Sequence, residues 1–156
     1  MCDDKYEKIL WSIALPGFGQ ILNGQLLKGI LFIALEFLVN VKANINTVIF
    51  LSFQGNIALA IEQTKYQWLM FYPCIYMFSI YDAYKNSNGN KPAFAFLPFS
   101  GSAILGTIGV IYSPMFKISG IAFGPIFTTI LFFILGTITG YILRRFLIKN
   151  KPPFSY

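Results

Sequence analysis

The sequence contains no histidine and few charged residues. Of its 156 residues, six are acidic and twelve are basic. Histidine is the commonest general base and metal ligand, so its absence excludes Ser-His and Cys-His nucleophile systems. Three of the six acids fall within the first seven residues, which leaves too few elsewhere for a carboxylate cage around a metal. We therefore expect a protein that is not an enzyme and that has no cofactor and no metal site.

Cysteine is also scarce, and no basic stripe is present. Cys2 and Cys74 are far apart and have neither metal-ligand spacing nor a disulfide pattern. The net charge is +6, but the basic residues lie at the ends of apolar runs and are not interleaved with aromatic residues. A nucleic-acid surface would show such interleaving, so we expect no nucleic-acid partner. Anionic lipid headgroups and membrane topology account better for these charges.

Hydrophobic residues make up 56% of the chain and charged residues only 12%. Soluble domains carry about twice that charged share. The apolar stretches are continuous and not alternating, which favours membrane helices over a β-barrel. The fold class predicted is all-α, a polytopic helical membrane protein. Abundant Ile, Phe, Asn and Lys are typical of an AT-rich bacterial genome, so we place the protein in a bacterial cytoplasmic membrane.

The predicted architecture is a single membrane domain over residues 1–156, with about four spanning helices. Its first part is a glycine-rich hairpin and first span at 9–41, whose apolar run of 16 residues gives roughly 24 Å of helix. The remaining segments are one interfacial helix or two short ones within 42–67, spans at 68–84, 93–112 and 121–143, and a basic tail at 144–156.

The N-terminal apolar stretch is interrupted after about two helical turns. Pro16 disfavours helical geometry at the residue before it, and Gly17 and Gly19 are predicted to adopt positive φ in a tight turn. Two interpretations are open for residues 9–22. One is a short or re-entrant helical hairpin sheltered by the rest of the protein. The other is a single tilted and kinked span.

Two stretches resemble the TM-two domain family of small bacterial membrane proteins. The first, at residues 16–29, reads Pro-Gly-Phe-Gly-Gln-Ile-Leu-Asn-Gly-Gln-Leu-Leu-Lys-Gly, and the second, at 81–84, reads Tyr-Asp-Ala-Tyr. The resemblance implies a helical hairpin, with Gly24 and Gly29 as further turn or packing positions and Asp82 at the exit of the second helix. The family has no agreed chemistry. The insert at 42–67 departs from its compact form, and the last two helices lie outside it.

The distribution of basic residues predicts the orientation. With a cytoplasmic C-terminus, nine of the twelve basic residues fall inside and three outside, which satisfies the positive-inside rule. The three external residues are Lys42, Lys65 and Lys117.

The last helix contains a GxxxG pattern formed by Gly136 and Gly140. Such a pattern allows another helix to approach closely but does not specify which helix. Packing within the chain, contact with a second copy and no special role are therefore all open.

Three polar residues are candidates for function: Glu36, Asn40 and Asp82. Glu36 is the one acid inside a predicted span, and ionisable residues there are functional candidates by default. It either pairs with Asn40, Lys42, Lys65 or a tyrosine hydroxyl, or it handles ions or protons.

The function expected is that of a non-enzymatic small membrane protein, a scaffold or accessory subunit acting through helix packing. Its partners are the lipid bilayer and either a second copy or a larger membrane protein. The alternative is a small oligomeric channel or transporter that uses Glu36 and the broken hairpin.

Overall fold

The computed structural model describes residues 4–89 and 91–150, and these residues form a mostly helical fold. The all-α fold class is therefore confirmed. Residues 151–156 of the predicted basic tail, and Cys2, lie outside the described residues. In chain order the elements are α1 (Asp4–Ala14), α2 (Phe18–Leu22), α3 (Leu26–Ala43), α4 (Ile45–Phe53), α5 (Ile57–Gln63), α6 (Tyr66–Leu69), α7 (Tyr72–Asn86), α8 (Leu97–Tyr112), β1 (Lys117–Ile118), β2 (Ile121–Ala122) and α9 (Gly124–Lys149).

The chain reverses direction between α1 and α2. Gly17, at the start of α2, has φ of 109°, a left-handed conformation that glycine adopts without steric cost. The C-terminal part of α1 contacts the middle of α7, where the Tyr76 hydroxyl donates to the Ile13 carbonyl at 2.6 Å. Asn23, just after α2, reaches the Ala83 carbonyl two turns further along α7. The hairpin of α1 and α2 therefore begins and ends at the same end of the molecule. Its depth, taken as the rise of α1 from Asp4 to Ile13, is roughly 14 Å.

α7 connects the two sides of the fold. It packs against α1, α2 and α3, and also against α8. α8 and α9 run antiparallel in close contact along most of α8. A small apolar core lies where α3, α6 and α8 meet, at the end of the molecule away from Asp82. Its buried members are Val39, Ala43, Ile45, Leu69 and Val110.

Of the two alternatives for the segment at 42–67, one interfacial helix or two short ones, the structure agrees with the second. Asn44 has φ of 61° and ends α3, and Gly55 has φ of 79° and separates α4 from α5, so two short helices form. Both pack against the beginning of α9, where the centres of the Phe53 and Phe127 rings are 5.3 Å apart. The pair therefore lies across one end of the molecule.

The helices observed also differ in their bounds from the three spans predicted after residue 67. Residues 68–84 are divided between α6 and α7 by a turn, and α7 continues to Asn86. α8 begins only at Leu97, because Phe94 has φ of 55° and interrupts the helix. The two-stranded turn of β1 and β2 occupies 117–122, so the last helix begins at Gly124 with Pro125 in its first turn, a position that proline favours. That helix also continues to Lys149, well into the predicted tail.

Within residues 4–89 and 91–150, one helix, Gly124–Lys149, is long and apolar enough to cross a membrane. α8 is apolar but shorter. α3 has 18 residues and carries three charged side chains, Lys28, Glu36 and Lys42.

Candidate functional site

The two stretches that carry the family resemblance meet in a buried polar cluster. The Gln20 side chain on α2 is fully buried, and its Nε2 donates to the Ser79 carbonyl at 2.8 Å and to Asp82 Oδ2 at 3.2 Å. The Asn23 amide donates to the Ala83 carbonyl at 2.9 Å. Buried polar groups are costly unless they are hydrogen-bonded, so these bonds specify how the hairpin docks on α7.

Asp82 is the centre of this cluster. Its side chain is nearly buried, and Oδ1 accepts from Lys28 Nζ and from Asn86 Nδ2, each at 3.1 Å. Lys28 is half-exposed, so its ammonium stays at the edge of the protein while it pairs with the carboxylate. The carboxylate thus bonds residues from α2, α3 and α7. We name Gln20, Lys28, Ser79, Asp82 and Asn86 the Asp82 cluster.

The glycines of the hairpin have different roles, and the expectation of positive φ at Gly19 is wrong. Gly17 and Gly24 have positive φ, but Gly19 does not. A side chain at Gly19 would instead collide with Ser12, with the Lys8 carbonyl and with the Ala83 methyl group. Gly19 is therefore needed because α1 and α7 approach its Cα closely.

Close approach also explains Gly29, while Pro16 is fully buried. A Cβ at Gly29 would lie 2.9 Å from the Gly17 carbonyl oxygen, so α2 and α3 touch through these two glycines. Gly24 has φ of 74° and open space around its Cα, so it supplies only the turn between α2 and α3.

Glu36 lies on α3, at the level of the first turn of α7. Its side chain is nearly buried and faces the hydroxyl of Tyr72, with Tyr76 one turn further along α7. One carboxylate oxygen, Oε2, is buried and has no hydrogen-bond partner. Of the partners left open for Glu36, the tyrosine hydroxyl agrees with the structure, whereas the Asn40 amide donates to Asn46 Oδ1 at 3.1 Å. The structure therefore brings Glu36 together with tyrosines and not with Asp82.

The GxxxG residues pack within the chain, against α8. A Cβ at Gly136 would collide with the backbone of Gly101 and Ser102, and one at Gly140 would collide with the backbone of Leu97. Ser102 Oγ lies 2.9 Å from the Phe133 carbonyl oxygen and bonds this pair further. The face containing Gly136 and Gly140 is thus already occupied by α8.

The charged side chains divide between the two ends of the molecule. We call one of these the basic end. Here Lys28 pairs with Asp82, and Lys5 Nζ lies 5.2 Å from the centre of the Tyr84 ring. Arg144 Nε donates to the Ala93 carbonyl at 2.9 Å. Its described basic residues are Lys5, Lys8, Lys28, Lys85, Lys91, Arg144, Arg145 and Lys149. The opposite end holds Lys42, Lys65 and Lys117.

The sequence did not reveal the partner of Asp82. Gln20 stands within a glycine-rich string, and a glutamine among apolar residues is itself a signal of a buried hydrogen bond. Nothing in the sequence links it to Ser79 or Asp82, which are about sixty residues away. Within the described residues no group of three or more Cys, Asp and Glu is placed to hold a metal.

No protein-family model, curated protein or solved structure matches this chain. The resemblance to the TM-two domain family therefore stays a prediction, and function is argued from the geometry.

Proposed function

We propose that this chain is a multi-pass protein of the bacterial cytoplasmic membrane that acts without catalysis, as a scaffold or accessory subunit. The observation that carries the proposal is an inverted distribution of side chains. Large apolar side chains such as Leu27 and Phe37, which are 84% and 71% exposed, cover the outside, while Gln20, Glu36 and Asp82 are buried. An apolar surface of this extent is unfavourable in water and favourable in lipid.

Helix lengths support four spans. α3 is roughly 27 Å long, close to the hydrocarbon core of about 30 Å, and Lys28 and Lys42 lie near its two ends, from which they can extend to the headgroups. α6 and α7 together cover residues 66–86, and α8 and α9 complete the set. The α1–α2 hairpin, with its depth of roughly 14 Å, then enters about half of the bilayer from the basic end. α4 and α5 lie at the opposite interface.

The orientation proposed places the basic end in the cytoplasm. The positive-inside rule favours this arrangement because the opposite end carries only Lys42, Lys65 and Lys117 among the described basic residues. The C-terminus is then cytoplasmic and the β1–β2 turn external.

A scaffold role is supported by the way in which polar groups are used. In the Asp82 cluster, and between Ser102 and Thr137, which are 2.6 Å apart, side-chain polar atoms hold helices to one another. The partner is a second copy or a larger membrane protein, and the mass of the detergent-solubilised protein distinguishes the two.

The test is cysteine labelling on intact cells. In a background with Cys2→Ser and Cys74→Ala, single cysteines replace Lys117 or Lys149, and an impermeant thiol reagent is added. We expect labelling at position 117 and none at 149 until the cells are opened. Labelling of 149 alone would overturn the orientation. Release of the protein from membranes by alkaline carbonate would overturn membrane integration itself.

The unpartnered oxygen of Glu36 favours a second candidate, a small oligomeric channel or transporter that handles ions or protons. Glu36→Gln is nearly isosteric but cannot carry the charge. If this candidate is correct, liposomes with the purified protein show a cation or proton flux that Glu36→Gln abolishes while its melting temperature stays close to that of wild type. Absence of flux from both proteins would contradict it.

A further inference from the structure

An apolar crevice lies between α7 and α8 on the outer surface of the fold. Its volume is about 280 Å³, and its lining is almost entirely apolar. Small side chains, Cys74 and Ala103, line it near its inner end, and large aromatic ones, Phe78, Tyr81 and Phe96, line it towards the basic end. From Cys74 to Tyr81 the crevice extends over roughly 10 Å of helix.

The size of the crevice determines what fits. An α-helix with its side chains is about 10–12 Å across, which is too wide for a crevice of this volume. The volume lies at the lower end of the roughly 300–1,000 Å³ of pockets that hold drug-sized ligands, so a narrow group fits it best. A single extended hydrocarbon chain is narrow and flexible enough. Phe78 and Phe96 are 59% and 44% exposed, so the crevice opens sideways, to the lipid in the proposed arrangement.

The open end of the crevice carries a positive charge. Phe78, Tyr81 and Lys85 follow one another on the same face of α7, because their spacing of three and four residues matches the helical repeat. Lys85 is exposed and forms no hydrogen bond or ion pair within residues 4–89 and 91–150. The nearest acid along α7, Asp82, is already bonded to Lys28 and Asn86. Lys85 is therefore available to a negatively charged group outside the protein.

We propose that the crevice binds one acyl chain of an anionic phospholipid, with the headgroup phosphate held by Lys85. The apolar walls would contact the acyl chain, and Lys85, at the open end of the crevice, would contact the phosphate. Charge selects anionic over zwitterionic lipids, and the crevice selects an ordered chain. This proposal rests on the proposed membrane location and adds a specific ligand to it.

The test is native mass spectrometry of the full chain in detergent, with phosphatidylglycerol or phosphatidylcholine of identical acyl chains. We expect wild type to retain phosphatidylglycerol preferentially, and Lys85→Ala to reduce that preference about fivefold, the effect of one lysine at a membrane surface. Lys117→Ala, which removes the same charge at the opposite end, is the matched control and keeps the preference.

A second variant tests the crevice independently of the charge. Ala103→Phe fills the inner end and should lower the retention of both lipids. A further measurement leaves the crevice unmutated. In a Cys2→Ser background, the rate at which a lipophilic maleimide reacts with Cys74 is followed, and added phosphatidylglycerol should lower that rate more than phosphatidylcholine does.

The outcomes separate this site from the proposed membrane location. An unchanged lipid preference in Lys85→Ala, or a Cys74 reaction rate that is insensitive to phosphatidylglycerol, would overturn the site while the protein remains in the membrane. Protection of Cys74 that rises with protein concentration in lipid-free detergent would show that a second copy covers the crevice, and would also overturn it. Failure of the chain to enter membranes at all would instead contradict the proposed function.

Discussion

The α8–α9 pair and the hairpin region hold their helices together by different means. α8 and α9 touch backbone to backbone through Gly101, Gly136 and Gly140, with Ser102 as the main polar contributor. The hairpin also packs through glycines, but its docking on α7 is fixed by Gln20 and by the other members of the Asp82 cluster. The first contact depends on shape and the second on matched donors and acceptors.

This difference indicates what each region contributes. Small residues let two helices approach but leave sliding along the axis weakly restricted. Buried hydrogen bonds tolerate little displacement because an unpaired polar group in a low-dielectric site is costly. The hairpin is short, and α2 has only five residues, so it cannot hold its position through packing alone. We infer that the Asp82 cluster sets the position of the hairpin and that glycine contacts set the spacing of α8 and α9.

The largest effect is expected from Gly136→Ile. All three atoms closest to an added Cβ belong to the backbone of Gly101 and Ser102, which cannot rotate away. We expect a loss of about 3 kcal/mol or more in the free energy of unfolding, at the upper end of overpacking effects. Ile138→Val, at a half-exposed position of the same helix, is the control and should change little. Denaturant or thermal unfolding in detergent measures both variants. If Gly136→Ile were as stable as Ile138→Val, close packing would not explain how α8 and α9 are held together.

Gly19→Ala tests close approach in the hairpin and should have the next largest effect, about 2 kcal/mol. Two of its neighbours, Ser12 and Ala83, are side chains on separate helices, which allows some adjustment. Gly24→Ala is the matched control: its φ of 74° is strained for alanine, but no atom lies within 4 Å of the added methyl. It should lose about 1 kcal/mol. A larger loss of stability in Gly24→Ala than in Gly19→Ala would mean that positive φ, and not the space around the glycine, is the main requirement of the hairpin.

The Asp82 cluster is tested by a double-mutant cycle of Gln20→Leu and Asp82→Asn. Each change removes part of a buried hydrogen-bond network, so each should cost about 1–3 kcal/mol. Because the two residues are in contact, their effects should be non-additive by about 1 kcal/mol. Gln20→Leu combined with Gly136→Ile is the reference pair and should be additive, since the two sites share no partner. Additivity in the first cycle would show that the bond contributes nothing specific.

The sequence predicted the helical class because apolar runs, prolines and glycines are local signals. It placed Gly17 in a turn for the same reason. It assigned Gly19 the wrong property, since a glycine needed for space and one needed for positive φ look alike without the neighbouring helices. The last helix extends to Lys149, beyond the predicted end at residue 143. The prediction ends there because Arg144, Arg145 and Lys149 resemble a basic tail, but arginine and lysine are good helix formers.

The partners of the acids were the least predictable feature. For Glu36 the sequence leaves four partners open, and only the tyrosine hydroxyl among them agrees with the structure, where Tyr72 faces Glu36 and Asn40 bonds Asn46 instead. Asp82 was singled out by resemblance alone, and its partners lie up to 62 residues away in sequence. Local spacing predicts contacts along one helix, but tertiary packing decides which of them form.

The smallest effect is expected at the surface of the hairpin, at the ion pair of Asp4 and Lys8. Their 2.7 Å contact lowers the pKa of the Asp4 carboxyl below its ordinary value, chiefly through the hydrogen bond from Lys8. A carboxyl whose pKa is lowered by folding stabilises the folded state above its unfolded pKa and loses that contribution as the pH falls through its folded pKa. The Asp4 side chain is half-exposed, and an asparagine there could still accept a hydrogen bond from the nearly buried Lys8, so the contribution of the charge is slight. We therefore expect Asp4→Asn to melt marginally below wild type at neutral pH and to match it once the pH is below the folded pKa of Asp4. Asp82→Asn should show a clear loss at neutral pH in the same titration, because its carboxylate is nearly buried. A loss in Asp4→Asn as large as that in Asp82→Asn would mean that the surface of the hairpin, as well as the buried cluster, fixes its position.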